Sequence, residues 1–572
     1  MDAIKATISD VFNNSTLVEI PFFQRSYVWE EDLWQRLIDD MEYVVKTKKT
    51  HFLGSIILKS GREPDEDDDY SSCYTVVDGQ QRLTTFLIFM KALCLLQNQP
   101  DAFNSQFRIN GEEIALRHGK NDIDSFAKVM DMDSPQKIAD NPSNNKTIAA
   151  YNYFIDHIDP QKMNFTAIKS KAQFVKITLS ADENEQQIFD TINSLGVNLT
   201  TSELLKNYFF NRETLKDYEE KWEAVFEKND EIKAYWDQQI EVGRTKRALI
   251  DIFFDAYFQI FIQNKKYNIS TEDKISYSRV DKISQSYQHF IKKYCNGNKD
   301  TILEQLKQYA DCFRDSFRPD YCDMNIPKQS SIERINILIF GLKNTTLIPY
   351  ILYITKNVTD NDELMKMYHI IESYIMRRII IHASSKNYNN IFTSVILNEI
   401  LDSDKLINYF RKSNDASVYI PSDDDVIDGF YNSKLMNLQS KGILYLIESY
   451  IRNDSSAVML LGFNQYSLEH LMPKKWRNNW KPCDSEELAK KRDMMLLTLG
   501  NLAIIPLSLN TSIRDADWST KKAGKSKNQG LKVCASGLET LIDALDKEEW
   551  NELEIEARAK ALSEKAIELW SI

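Results

Sequence analysis

Apolar positions change rhythm along the chain, and the changes divide it into three stretches. Over residues 1–212 two rhythms alternate. Phe52-Leu53-Gly54-Ser55-Ile56-Ile57-Leu58 and Tyr74-Thr75-Val76-Val77 are short apolar runs that predict strands, and Val175, Ile177 and Leu179 alternate as one face of another. Leu33, Leu37, Met41 and Val44 recur instead at helical spacing, behind the acids Glu30, Glu31 and Asp32, which suit the positive end of a helix dipole. Ile188, Phe189 and Ile192 predict a helix and Ser194–Asn198 a turn. Thr201 is then expected to cap a helix through Leu204, Leu205 and Tyr208.

Over residues 213–440 nearly every apolar stripe has the helical period. One example is Leu364, Met367, Ile371, Ile375 and Ile379, with Asp362 as the expected cap. No fixed-length repeat recurs, which excludes a regular solenoid. Ser413–Ser417 and Pro421–Asp425 have linker composition. Over residues 441–572 one helix is expected at Ile443, Leu446, Ile447 and Tyr450, and a packed terminal one at Trp550, Leu553, Ala557, Leu562 and Leu569. The fold class expected is a multidomain, mostly helical α+β protein: an α+β domain at 1–212, an all-helical middle at 213–440 and a small C-terminal domain at 441–572.

Composition narrows the function classes. The 572 residues are 43% hydrophobic and 27% charged, ordinary globular usage that excludes wholesale disorder. The formal net charge of -13 argues against coating DNA with the whole surface, and leaves room for one local basic site. Seven cysteines without a CxxC pair exclude a disulfide scaffold or zinc ribbon and fit a reducing cytoplasm. The opening residues carry Asp2 and no apolar signal region, and no apolar run approaches the roughly 18 residues of a membrane helix. A cytoplasmic protein without membrane contact is expected. Pro64–Asp69 is an acidic, solvated connection.

Charge is not spread evenly. Residues 471–532 carry thirteen Lys/Arg against six Asp/Glu, whereas 539–572 carry ten acids against four bases. A basic island in an acidic protein is where a polyanion would bind. At its edge stands Leu468-Glu469-His470-Leu471-Met472-Pro473, followed by Leu499-Gly500-Asn501 and, nine residues on from Asn501, Asn510. Phosphodiester cleavage needs a base to deprotonate water and a divalent cation to screen the phosphate. A neutral imidazole suits the first task, and oxygen ligands such as Glu469 and the Asn510 amide suit Mg²⁺ or Mn²⁺. The short pattern alone decides nothing, because Asp156-His157-Ile158-Asp159-Pro160 repeats it without a Gly-Asn step or a basic island. Lys521, Lys522, Lys525 and Lys527, clustered downstream of His470, are expected to contact DNA phosphates rather than merely form a solvated face.

A second cluster lies near the N-terminus, in Ile20-Pro21-Phe22-Phe23-Gln24-Arg25-Ser26-Tyr27-Val28-Trp29 and Val77-Asp78-Gly79-Gln80-Gln81-Arg82-Leu83-Thr84-Thr85. Asp78-Gly79 permits a tight turn where a strand ends and a helix starts. The free N–H groups there, with Arg82, make a phosphate site without Walker A spacing. A turn with Arg82 in a structural ion pair is the competing reading.

Both clusters have a family likeness. Pro-x-x-Gln-Arg-x-Tyr-x-Trp followed by Asp-Gly-Gln-Gln-Arg-Leu-Thr-Thr resembles the ParB/sulfiredoxin-like domain at the front of GmrSD-type proteins. Phe52–Ser55, Asn193–Leu199 with Glu203 and Lys206, and Ile375–Arg378 are similar to further parts of them. The C-terminal cluster resembles the HNH, or ββα-metal, nuclease motif of the same proteins. The likeness implies a nucleoside triphosphatase site at Gln24, Arg25, Asp78, Gly79, Gln81 and Arg82, with Tyr27 and Trp29 as core aromatics. At the other end it implies His470 as general base, Glu469 and Asn510 as metal ligands, and Asn501 as the residue holding the base strand. Glu469 stands where Asp is commoner, and Asp484–Arg492 fills an unusually long gap. The implied function is an anti-phage type IV restriction endonuclease that couples nucleotide hydrolysis to cleavage of modified double-stranded DNA; a homo-oligomer stays open. The rival is a non-enzymatic, nucleotide-controlled DNA-binding or regulatory protein.

Overall fold

The computed structural model describes residues 2–24, 26–60, 70–139, 145–180, 200–243, 245–279, 282–412, 417–452, 459–507, 515–525, 528–535 and 537–572. The acidic run 64–69, the expected helix at 188–192, the turn at 194–198 and the linker positions 413–416 lie outside these. The early alternation becomes a mixed sheet. Its strands are β1 (Asp2–Thr7), β2 (Thr16–Glu19), β3 (His51–Ser60), β4 (Ser72–Asp78), β5 (Leu116–Arg117) and β6 (Ala172–Leu179). They are ordered β1-β6-β3-β4-β2-β5. β3 is antiparallel to β4 and parallel to β6, so the two strands expected around the acidic run are neighbours.

Helix α1 (Glu31–Thr47) buries Leu37, Met41 and Val44 of the predicted stripe with Trp34 and Ile38 beside them, while Leu33 is half-buried. Helix α2 (Gln80–Leu96) follows β4 directly and is apolar on every side; residues 83–95 are all buried. A helix of that composition must be enclosed, so α2 is the centre of the core that α1 and the sheet share.

Past residue 220 helices dominate. They include α3 (Leu249–Ile262), α4 (Asn361–Ile380), α5 (Asn437–Ile451), α6 (Trp518–Ala523) and α7 (Glu552–Leu569). Two short strands, β7 (Tyr466–His470) and β8 (Leu502–Pro506), pair antiparallel with His470 opposite Leu502. Helix α6 comes later in the chain than this pair, and residues 508–514 between them, Asn510 included, lie outside the described residues. The chain is mixed α+β and mostly helical.

Contacts divide it into two compact units, Met1–Glu220 and Lys221–Ile572. The first boundary lies close to the one expected at 212. At 440 no unit ends, because buried polar pairs cross that position. Arg334, wholly buried, pairs with Glu372 at 2.6 Å and donates to the Ser449 hydroxyl at 2.6 Å. The Trp570 indole N–H donates to Glu372 at 3.0 Å, and the Trp570 carbonyl accepts from Arg377 at 2.7 Å. Within the C-terminal stretch itself, the Glu448 carboxylate accepts the N–H groups of Glu539 and Thr540 at 2.9 and 2.8 Å.

Candidate functional site

In the first unit the turn after β4 is built around two glycines. Gly79 caps α2 with φ +100°, and a side chain there would strike Ile56. Gly54, at φ +118°, leaves the space across which the Arg82 side chain runs; a Cβ would stand 3.0 Å from Arg82 Nε. Arg82 Nη1 donates to the Ser55 carbonyl at 2.8 Å and lies 3.5 Å from Asp78 Oδ2. Asp78, Gly79 and Arg82 are therefore together at the start of α2, and the Arg82 side chain remains about one-third exposed.

Gln81 plays a different part. Its amide accepts from the Val28 N–H at 2.9 Å and donates to the Ser26 carbonyl at 3.2 Å, which ties the 26–28 loop to α2. Gln24 is buried, its carbonyl accepting from Asn121 at 3.3 Å, and Arg25 lies outside the described residues. Tyr27 is a core residue, sharing its hydroxyl with Thr85 at 2.6 Å and accepting from Trp34 at 2.8 Å. Trp29, expected in the core as well, is half-buried against that core and also stands on the wall of an open cleft of about 350 Å³. Arg36, Asp40, His51, Phe52 and Arg82 share that wall. Asp40 and His51 face each other at 3.3 Å. Sequence reasoning missed Arg36, Asp40 and His51; Gly54, inside a strand run, was the signal that something lies across β3.

In the second unit the acid and the histidine stand at the end of β7. Asn501 is wholly buried and fully used: its amide oxygen accepts the Met472 N–H at 2.8 Å and the Trp550 indole N–H at 3.0 Å. Its amide nitrogen donates to the Met472 and Leu496 carbonyls at 2.9 and 3.1 Å. The chain leaving β7 is pinned by this one side chain. His470 is half-buried, and burial, with Lys474 and Lys521 adding to it, pushes its imidazole down to about 4. At neutral pH it carries no proton on one nitrogen and can accept one.

Glu469 is buried and ion-paired with Lys521, whose ammonium also donates to the His470 carbonyl at 2.6 Å. Lys521 is wholly enclosed, so it does not belong to an exposed phosphate-binding row. The first two lysines of the expected row lie on one turn of α6, whose buried side faces the acid. Lys522 is half-exposed over the Trp518 ring at 5.5 Å. Lys525 is on a short strand with its side chain outside the described residues, as are Lys527 and Asn510 altogether. A divalent cation does not fit the described residues as they stand. The carboxylate it would use already holds an ammonium, and among the described residues no group of three acid, histidine or cysteine side chains is arranged to hold a metal. The gap residues 484–492 mostly enter a helix, Glu486–Met495, rather than a loop.

Two family models match. The N-terminal domain of GmrSD restriction endonuclease covers residues 8–210, and the C-terminal domain of GmrSD restriction endonucleases covers 420–565, together more than half the chain. The chain belongs to the GmrSD restriction endonuclease family. Each cluster falls inside one GmrSD span, the Asp78–Arg82 turn in the first and Glu469–Asn501 in the second. Membership of GmrSD makes the chain a type IV restriction nuclease with DNA as substrate, and sets the non-enzymatic reading aside. No curated protein matches it. Among the described residues no helix is long and apolar enough to cross a membrane.

Proposed function

We propose that this GmrSD protein is an anti-phage nuclease of the HNH type, directed at modified DNA and controlled by nucleotide hydrolysis. The observation that supports the nuclease reading best is the neutral His470 imidazole at a strand end clamped by Asn501. His470 would take the proton of the attacking water, and Asn501 would keep the imidazole in position through Met472. Lys522, Lys525 and Lys527 would hold the DNA backbone. Mg²⁺ or Mn²⁺ would supply charge screening at the phosphate; the family resemblance implies Glu469 and Asn510 as its ligands, and of these Glu469 is held by Lys521 in this structure.

For the nucleotide, the reading rests on the Arg82 guanidinium at the open start of α2. Arg82 and the Gly79 turn would hold phosphate, Asp78 would orient Arg82, and Gln24, Arg25 and Gln81 would shape the loop above. The cleft walled by Trp29 and Phe52 offers an aromatic surface for the rest of the nucleotide.

Plasmid cleavage by purified His470→Ala tests the first half. Loss of a general base typically costs about 10²–10⁴-fold, while NTP hydrolysis should persist and His157→Ala should cut like wild type. Cleavage by His470→Ala at the wild-type rate would remove the HNH assignment. Arg82→Ala should lose NTP hydrolysis while remaining folded; undiminished hydrolysis would remove the nucleotide site.

A further inference from the structure

Helix α3 is apolar on all sides except for one line. Asp251, Asp255 and Gln259, with Gln263 just beyond its end, recur every four residues and so share a face. Such a stripe is expected on a surface helix, yet this helix is central: Gln259 and Gln263 are each only 8% exposed. The stripe faces a cavity of about 320 Å³. Asp255, Gln259 and Gln263 line it from α3, Arg247 from the strand Thr245–Ala248 and Lys274 from the helix Thr271–Tyr277. Ile348, Pro349 and Phe392 supply an apolar wall.

Enclosed polar groups have a cost unless they are matched. Here the matching inside the chain is partial. Gln259 donates to the Tyr277 carbonyl at 3.1 Å and Gln263 accepts from Lys274 at 3.3 Å. Burial lifts the Asp255 carboxyl to about 6, against the pull of Arg247 and a hydrogen bond from the Gln259 side chain. Convergent polar groups around a cavity of this size, with an acid shifted by burial, mark a binding site.

The kind of ligand follows from the donors and acceptors. A carboxylate beside primary amides reads the edge of a flat heterocycle, and the apolar wall accepts its face. Two cations against one carboxylate favour an attached negative charge. We propose that this cavity binds a nucleobase together with its phosphate, brought either as a free mononucleotide or as a nucleotide turned out of DNA. It is separate from the sites of His470 and Arg82 and does not rest on them.

The test uses full-length Arg82→Ala protein, so that the proposed phosphate turn contributes nothing. One arm titrates AMP, GMP, CMP and UMP by calorimetry. The other adds duplex DNA carrying one 2-aminopurine and follows its fluorescence, which rises when the base leaves the stack. At least one mononucleotide should bind, or the fluorescence should rise. Asp255→Leu and Asn389→Trp should each weaken that signal by about tenfold or more, the loss expected when a charged hydrogen-bond partner or the space itself is removed. Asn389 is exposed at the rim of the cavity, so its variant blocks the mouth without disturbing α3. Mononucleotide binding assigns a free ligand, fluorescence alone an extruded base. Silence in both arms, or signals that survive both substitutions, overturns the site. Neither arm reads cleavage or NTP hydrolysis.

Discussion

His118 is a base that the fold keeps from titrating. It is 6% exposed, it shares a 2.8 Å hydrogen bond with Thr84, and burial pushes it down to about 3. Its folded value lies below the ordinary 6.5, so its contribution is intact above pH 6.5 and drains away as pH falls toward 3. By pH 5 the loss should reach roughly 2 kcal/mol, at 1.36 kcal/mol per pH unit for one proton. Urea unfolding at pH 7 and pH 5 checks this: His118→Gln should lose less stability on acidification than wild type by about that amount. Equal losses would mean that His118 protonates in the folded chain. Nothing in Ala115-Leu116-Arg117-His118-Gly119 signals burial, because the enclosing groups, Thr84 and Phe126, arrive from α2 and another helix. Residues whose role is set by their own backbone were legible: Gly79 sits at the positive φ that its Asp-Gly step announces.

Among elements, periodicity was read well and chemistry at the ends less so. Thr200 rather than Thr201 caps the helix Thr201–Phe209, closing a capping box with Glu203. Asp360 rather than Asp362 caps α4, its carboxylate accepting from the N–H groups of Asp362 and Glu363. Pro421–Asp425 begins a helix, because Ser422 is its cap and Asp423, Asp424 and Asp425 fill the first turn, where acids are favoured. Leu553, expected to pack, is 74% exposed. The case with most consequence is α6. A lysine cluster reads as surface, yet one helical turn can bury one member and expose the next, and Lys521 goes inward to Glu469. Lys521→Ala should deprive that buried acid of its ammonium, a change that typically costs about 3–5 kcal/mol. If the ammonium stands in the place of a metal, Mg²⁺ or Mn²⁺ should raise the melting temperature of Lys521→Ala far more than that of wild type. Equal shifts in both would separate Glu469 from any metal.

At the scale of the whole molecule, the sequence marked both ends and the helical middle, but not the buried pairs that cross residue 440. The cause is physical: Arg334, Arg377 and Glu372 sit in ordinary helical stripes, and their partners Ser449 and Trp570 are far along the chain. A regulated cutter needs two states that both ligands bias. Cleavage should therefore change with nucleotide, by the roughly 5- to 150-fold of a typical coupling, and Arg82→Ala should erase the difference. Identical rates with every nucleotide would leave two independent activities. The buried network carries its own expectation. Residues 221–572 expressed alone should unfold in one cooperative transition, whereas 441–572 should show none by circular dichroism. A cooperative melt of the short piece would mean that the network is dispensable.

The same network bears on how such genes recombine. The C-terminal matched span runs from 420 to 565 and looks like a portable cassette. Trp570, which accepts from Arg377 and donates to Glu372, lies beyond its end, and both of those partners lie before its start. A crossover near 420 would part a nuclease from the side chains that close its core. The workable seam for exchange between relatives is near residue 220, where the contacts themselves divide.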